Sequence, residues 1–322
     1  MKRIVLAGGS GFIGQALAPA LVAKNYSVVI VGRGAPHREE GVDYLQWDGK
    51  TLGDWARAID GAEGIVNLTG RNINCRHTPE NRREIIRSRV DSVRVLGEAI
   101  ANCAAAPKVF VQTSGVGYYG DTGDRVTDEA ARSGNDFPAQ VCRQWEGAFD
   151  AVHVPATRRI IIRLGVVLGH NGGALPVLEK MTRWFLGGAV GNGRQFLSWV
   201  HVADVIKVFV EALEQGDLAG RFNATAPAPV TNDEFMRELR RALRRPWSPP
   251  VPALLARAGA WFMGSEGSLA LLSSRCVPRR FLEQGFEFQF PNLRDALANL
   301  YRNGDPAAAG PSRQPKHETV AR

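Results

Sequence analysis

The chain has 322 residues, 44% hydrophobic and 22% charged, with a formal net charge of +8. That length can bury one elaborated domain or two small ones, and the composition excludes a fibrous or wholly disordered chain. No apolar run approaches the ~20 residues that cross a bilayer, and Cys75, Cys103, Cys142 and Cys276 form no C-x-x-C pair or His/Cys cluster, so neither a membrane nor a metal partner is expected.

In chain order, "RIVLAG" (Arg3 to Gly8) reads as a buried first strand. The start is basic then apolar, but an apolar run of about five residues falls short of the ~7–15 of a secretory h-region. A cytoplasmic location with free thiols is therefore expected. "GGSGFIG" then places Gly8, Gly11 and Gly14 three apart between a strand and a helix, with Phe12 and Ile13 opening that helix. Gly8 permits the tight turn, Gly11 lets the backbone approach a pyrophosphate, and Gly14 lets the helix pack on the strand. The helix N-terminus adds unpaired N–H groups and about half a positive charge. All five residues are assigned to a dinucleotide.

"SVVIVGR" (Ser27 to Arg33) is the second strand. An acidic residue at its end would bind a ribose 2′-hydroxyl, whereas an arginine welcomes a 2′-phosphate. Gly32 and Arg33 stand there, with Arg38 nearby and Asp43 poorly placed for the acidic role, so the expected cofactor is NADP(H). "VDYLQWD" (Val42 to Asp48) is the third strand and "GIVNLTG" (Gly64 to Gly70) the fourth. A long helix follows from about Thr78, with Thr78 as N-cap, Pro79 at the first position and Glu80 complementing the dipole. "KVFVQTS" (Lys108 to Ser114) is the fifth strand, and "RRIIIRLGVVLG" (Arg158 to Gly169) contains the sixth. Strands alternating with helical patterns predict a parallel sheet with crossover helices.

After Gly169 the sequence is richer in glycine, proline and tryptophan. "FNATAP" (Phe222 to Pro227) reads as a strand returning to the main sheet. The predicted fold is α/β: a Rossmann-like doubly wound parallel sheet with a small interleaved C-terminal substrate lobe. Its expected divisions are a cofactor-binding domain at 1–168, a lobe mainly at 169–302 with about 200–226 returning to the core, and a disordered tail at 303–322. In "MRELRRALRR", Arg237, Arg241 and Arg244 share one helix face and Leu239 and Leu243 another, so a solvated amphipathic helix accounts for it better than nucleic-acid binding. The positive charge equally suits a phosphate-bearing small molecule.

"GGSGFIG", "VNLTG", "SGVGYYGD", "VCRQWE", "RLGVVLGHNGGAL", "GNGRQFLSWVHVAD" and "GFEFQFPNLRDAL" together resemble an extended, atypical short-chain dehydrogenase/reductase of the epimerase-family (YfcH-type) branch, over roughly residues 1–300. The resemblance implies bound NADP(H), with Gly32 and Arg33 at the ribose phosphate and Leu68, Thr69 and Gly70 along the cofactor. It also implies Glu84 and Arg89 near the cofactor, and Val167 at the nicotinamide end. An (i, i+5) spacing is not a contact spacing on a helix, which leaves Glu84 and Arg89 open to other partners.

The superfamily's proton chemistry uses serine, tyrosine and lysine. Aligned on this branch, Phe137 and Val141 of "NDFPAQVCRQWE" stand at the tyrosine and lysine positions. A positioned acid or base is worth ~10²–10⁴ in rate, so another group must serve if the protein is an enzyme. Ser114, Tyr118 and Tyr119 are the catalytic candidates, with loop packing the alternative for each tyrosine. Cys142 has no visible base and fits helix packing better. His201 and Arg194 are the substrate-side candidates: His201 as an acid or a loop-orienting residue, Arg194 as a bidentate anion holder or a surface arginine. Three functions stay open: an NADP(H)-dependent oxidoreductase on an unidentified small molecule, an NADP(H)-binding sensor or scaffold without turnover, and a sugar-nucleotide epimerase or dehydratase. The oligomeric state is equally open, a homo-oligomer included.

Overall fold

The computed structural model describes residues 1–255, 266 and 271–302. The expected tail at 303–322 and part of the expected lobe, 256–265 and 267–270, lie outside the described residues. In chain order the first half comprises β1 (Arg3–Ala7), α1 (Phe12–Ala23), β2 (Ser27–Gly32), β3 (His37–Glu39), β4 (Val42–Gln46), β5 (Gly64–Asn67), α2 (Pro79–Ala101), β6 (Val109–Gly115), α3 (Phe137–Asp150) and β7 (Arg158–Leu164). Next come β8 (Val166–Leu168), α4 (Leu175–Arg183), β9 (Phe196–Leu197), β10 (Trp199–His201), α5 (Val202–Glu214) and β11 (Gly220–Ala224). The last elements are β12 (Val230–Thr231), α6 (Asn232–Ala242), α7 (Arg279–Glu283) and α8 (Leu293–Arg302).

One eight-stranded sheet runs β11-β7-β6-β5-β1-β2-β4-β3, parallel except for the antiparallel β3. Both of its faces are covered, which is why β1 and β2 read as continuous apolar runs. Ile4, Leu6, Val28 and Ile30 pack on one side with Leu17 and Leu21 of α1 and Val205, Val208 and Phe209 of α5. Val5, Ala7, Val29 and Val31 pack on the other with Val93 and Leu96 of α2 and Trp145 and Phe149 of α3. This is a Rossmann-like doubly wound α/β fold. The chain leaves β1 towards β2 on one side and later resumes with β5 on the other, so a crevice opens at their carboxyl ends.

Two local features differ from the sequence expectation. The sixth strand breaks at Gly165: β7 belongs to the main sheet, while β8 pairs with β10 in a separate two-stranded ladder. A Cβ at Gly165 would lie 2.5 Å from the Ser198 carbonyl oxygen, so this close approach of backbones requires glycine. β3 is three exposed edge residues, too short to show alternation, and it carries Arg38 into an ion pair with Asp43 at 3.5 Å.

Gly220–Ala224 forms the strand beside β7, matching the register Gly220↔Ile160. A third apolar cluster joins Leu168, Leu175 and Trp199 to Phe235, Leu239, Leu243, Leu297 and Leu300. It includes the two leucines of the arginine-rich segment, while Arg237 and Arg241 pair with Asp233 and Glu238. The amphipathic reading therefore describes α6 as far as Ala242, but Arg244 lies past its end with φ +53° and does not share the face of Arg237 and Arg241. Among the described residues, no helix is long and apolar enough to cross a membrane.

Candidate functional site

The crevice is a groove of about 600 Å³ lined by Gly8, Ser10, Gly11, Gly32, Arg33, Trp47, Asp48, Lys50, Leu68, Thr69 and Gly70, with Arg71, Asn72 and Glu84 further along. Its floor is the β1–α1 turn. Gly8 has φ +73°, and a Cβ there would fall 2.9 Å from Thr69. A Cβ on Gly14 would sit 2.2 Å from the Gly9 carbonyl oxygen, so α1 packs on the turn only through glycine. Gly11 is the N-cap of α1 and supplies no side-chain cap. The first-turn amides, beside the groove-lining Ser10 and Gly11, are therefore left for an anion.

Phe12 and Ile13 are not part of the groove lining, and their side chains point elsewhere. The Phe12 ring lies against Gly169 and Gly172, and Ile13 packs onto the core. Arg33 is exposed at the end of β2 and lines the groove. Leu68 and Thr69 continue from β5, where the Asn67 side chain accepts from the Thr69 amide at 3.0 Å. The buried Thr69 hydroxyl has no hydrogen-bond partner among the described residues. A buried polar atom is normally paired, so this one, on the groove wall, suits a bound polar ligand.

Glu84 lines the groove and pairs with Arg87 at 3.6 Å, whereas Arg89 lies behind its wall. The Arg89 guanidinium packs against Gly70, donates to the carbonyls of Arg71 and Ile85 at 2.9 Å each, and lies 4.8 Å from the Trp145 ring. Burial, offset only partly by Cys142, lowers its pKa to about 10. It holds the 70–71 turn. Val167 is buried in β8, paired with Val200, and is not part of the groove lining.

The expected catalytic hydroxyls are found in a buried ionic network. Ser114 Oγ donates to Glu146 Oε1 at 2.7 Å. Glu146 is held bidentately by Arg163, Nε to Oε1 at 2.8 Å and Nη2 to Oε2 at 2.7 Å. Arg163 Nη1 donates to the Tyr119 hydroxyl at 2.8 Å, which in turn donates to Asn223 Oδ1 at 2.8 Å. Tyr119 is 1% exposed, and burial pushes its phenol well above the ordinary value. Both hydroxyls serve the core. Tyr118 is half-buried, with the Arg163 guanidinium 3.6 Å from its ring centre. Of the three candidates, its hydroxyl alone is outside this network.

The face of α3 that meets the β6 end also differs from the aligned expectation. Pro138 and Cys142, not Phe137 and Val141, face the Gly115–Gly117 turn: a Cβ on Gly117 would lie 3.2 Å from Pro138 Cβ, and Cys142 Sγ donates to the Gly115 carbonyl at 3.5 Å. Phe137 turns instead to His77 and Arg82 at the start of α2. Neither a tyrosine nor a lysine occurs anywhere in α3. Burial raises the Cys142 thiol to about 11, consistent with packing.

His201 is the N-cap of α5: its Nδ1 accepts from the Ala203 amide at 3.0 Å, and the residue is 3% exposed. Burial, with His170 nearby, lowers its pKa to about 4. An unfolded histidine binds its proton near pH 6.5, so stability is full above that pH and falls as pH drops towards 4. The loss is on the order of 3 kcal/mol. Urea midpoints at pH 7.5 and pH 4.5 check this, and His201→Asn, which keeps a cap, should flatten the slope. Arg194 is exposed in the loop before β9, where the Asn192 side chain accepts from its amide. No group of three or more His, Cys, Asp or Glu among the described residues could hold a metal.

The groove at a β–α–β switch point, glycine floor and arginine rim describe a dinucleotide-binding Rossmann protein. A model of the NAD-dependent epimerase/dehydratase family matches residues 4–224, and a domain of unknown function (DUF1731) matches residues 251–300. The chain belongs to that epimerase/dehydratase family. It is 36% identical to the epimerase family protein ML0860 of Mycobacterium leprae over 296 residues, covering 92% of this chain and 94% of that one. It is also similar to the human epimerase family protein SDR39U1. The crystal structure of human isoform 2, determined with NADPH, superposes with a TM-score of 0.84 at 32% identity over 94% of this chain and 99% of that one.

Proposed function

We propose that this chain binds NADP(H) in the groove and acts as an NADP(H)-dependent oxidoreductase on a small molecule, its lobe at 169–302 supplying the substrate side. The carrying observation is the meeting of uncapped α1 amides, the Arg33 guanidinium and the unpartnered Thr69 hydroxyl in one groove. The NADPH in the human relative's structure supports the choice of cofactor. The α1 N-terminus holds the pyrophosphate, Arg33 the 2′-phosphate, and Thr69 a polar edge of the dinucleotide. The cofactor supplies hydride transfer when bound. On the protein side, Tyr118 is the proton carrier of choice because the hydroxyls of Ser114 and Tyr119 are committed to Glu146, Arg163 and Asn223.

A second reading, NADP(H) binding without turnover, is favoured by those same commitments and by the lack of tyrosine and lysine in α3. Epimerase or dehydratase chemistry on a sugar nucleotide ranks below both, since it leans on that residue pair. Oxidation of NADPH over a panel of carbonyl compounds separates the readings. On the first, a compound is turned over and Tyr118→Phe lowers kcat by about 10²–10⁴ while binding holds. If NADPH binds and no compound raises its oxidation above background, the second stands. Arg33→Ala should weaken NADPH by about tenfold and leave NADH nearly unchanged, by calorimetry. Equal losses for both would contradict the assignment of Arg33.

A further inference from the structure

We propose that Lys50 is a second anion-binding group for the 2′-phosphate, sharing it with Arg33, and that the turn from Asp48 to Thr51 is built to hold it on the rim. This rests on the NADP(H) reading above and adds to it a specificity-determining residue outside the glycine loop and the end of β2.

Lys50 and Arg33 line the same groove, and both also line the adjoining depression with Trp47, Asp48, Thr51 and Trp55. The turn that carries Lys50 is fixed at several points. Gly49 has φ +86°, a left-handed conformation that favours glycine. Asp48 Oδ1 accepts from the Lys50 and Thr51 amides at 2.9 Å each, and Oδ2 accepts from the Thr51 hydroxyl at 2.9 Å. The indole N–H groups of Trp47 and Trp55 both donate to the Thr51 carbonyl at 3.1 Å. Burial alone would raise the Asp48 carboxyl, but these hydrogen bonds outweigh it and hold the group below its ordinary value, so the turn keeps its anchor at neutral pH.

The surrounding charges leave the same two residues: Arg71, also on the groove, donates to Asn81 Oδ1 at 2.8 Å, and the other nearby arginines are paired with carboxylates. Arg38 pairs with Asp43, Arg57 with Asp54, and Arg87 with Glu84 and Asp91. Arg33 and Lys50 have no carboxylate within ion-pairing distance among the described residues. Asp48 is near Lys50, yet its oxygens are taken up by the turn itself. A phosphate monoester between an arginine fork and a lysine point charge gains from both, whereas a bare ribose hydroxyl gains from neither.

The test is titration of the full chain with NADPH and with NADH for wild type, Lys50→Gln, Arg33→Gln and the double variant. Lys50 is exposed, and the Asp48 bonds use its backbone, so Lys50→Gln leaves the turn intact. The expected result is an about tenfold weaker NADPH affinity in Lys50→Gln with NADH nearly unchanged, a shallower salt dependence, and near-equal affinities in the double variant. A wild-type protein that prefers NADPH, beside a Lys50→Gln variant with that preference intact, overturns the role of Lys50 alone. A wild-type protein that does not bind NADPH overturns both this inference and the reading beneath it.

Discussion

Replacing Arg163 with alanine should lower the stability of the protein by about 3–5 kcal/mol, read as a shifted urea midpoint. Arg163 and Glu146 show 1% and 3% side-chain exposure, so truncating the arginine strands a carboxylate in the core. The Tyr119 hydroxyl loses a donor at the same time. Arg221, 3.3 Å from Glu146 Oε2, is then the cation left beside it but is itself shared with Asp150, and the Ser114 hydroxyl is a neutral donor. Because the groups act as a unit, Glu146→Gln combined with Arg163→Met should cost less than the sum of the single changes, by roughly 0.5–3 kcal/mol. A loss under about 1 kcal/mol in Arg163→Ala would contradict the buried network, as exposed ion pairs are worth no more than that.

Gly14→Ala and Gly11→Ala should separate folding from binding. An added methyl at Gly14 meets the Gly9 carbonyl at 2.2 Å, and backbone on both sides leaves nothing soft to move. The expected cost is about 1–3 kcal/mol or more, with NADPH binding lost as α1 is pushed away from the groove. At Gly11 the nearest atom to an added Cβ is 3.7 Å away, so the fold tolerates alanine. Gly11 lines the groove, however, and the methyl there occupies space that the pyrophosphate needs. Melting temperature and NADPH affinity, measured on both variants, should move together for Gly14 and part for Gly11. Wild-type affinity in Gly11→Ala would remove this glycine from the site.

The parallel sheet was legible because two-sided burial leaves apolar runs such as "IVLA" and "VVIV", and because Thr78 and Pro79 announce α2. The glycine floor was legible for a similar reason: three glycines at fixed spacing between strand and helix have few other uses. The fate of the serine and tyrosines was not. Their partners, Glu146, Arg163 and Asn223, come from α3, β7 and β11, and only the sheet order brings them together. A signal did exist: Arg163 ends an isoleucine run in a central strand, where a charge demands a buried partner. The facing of α3 depends on where its first turn starts, and Asp136 as N-cap sets that by one residue. Lys50 was readable only as part of a loop following a parallel strand, and such loops rim the crevice of these sheets.

Isothermal titration of the purified apoprotein with NADPH, repeated with NADH, tests the central claim most directly. The groove of uncapped amides and Arg33 predicts saturable one-to-one binding of NADPH, tighter than NADH by about tenfold or more and weakened by salt. No binding heat from NADPH across several temperatures, together with an unchanged melting temperature at saturating cofactor, would contradict it.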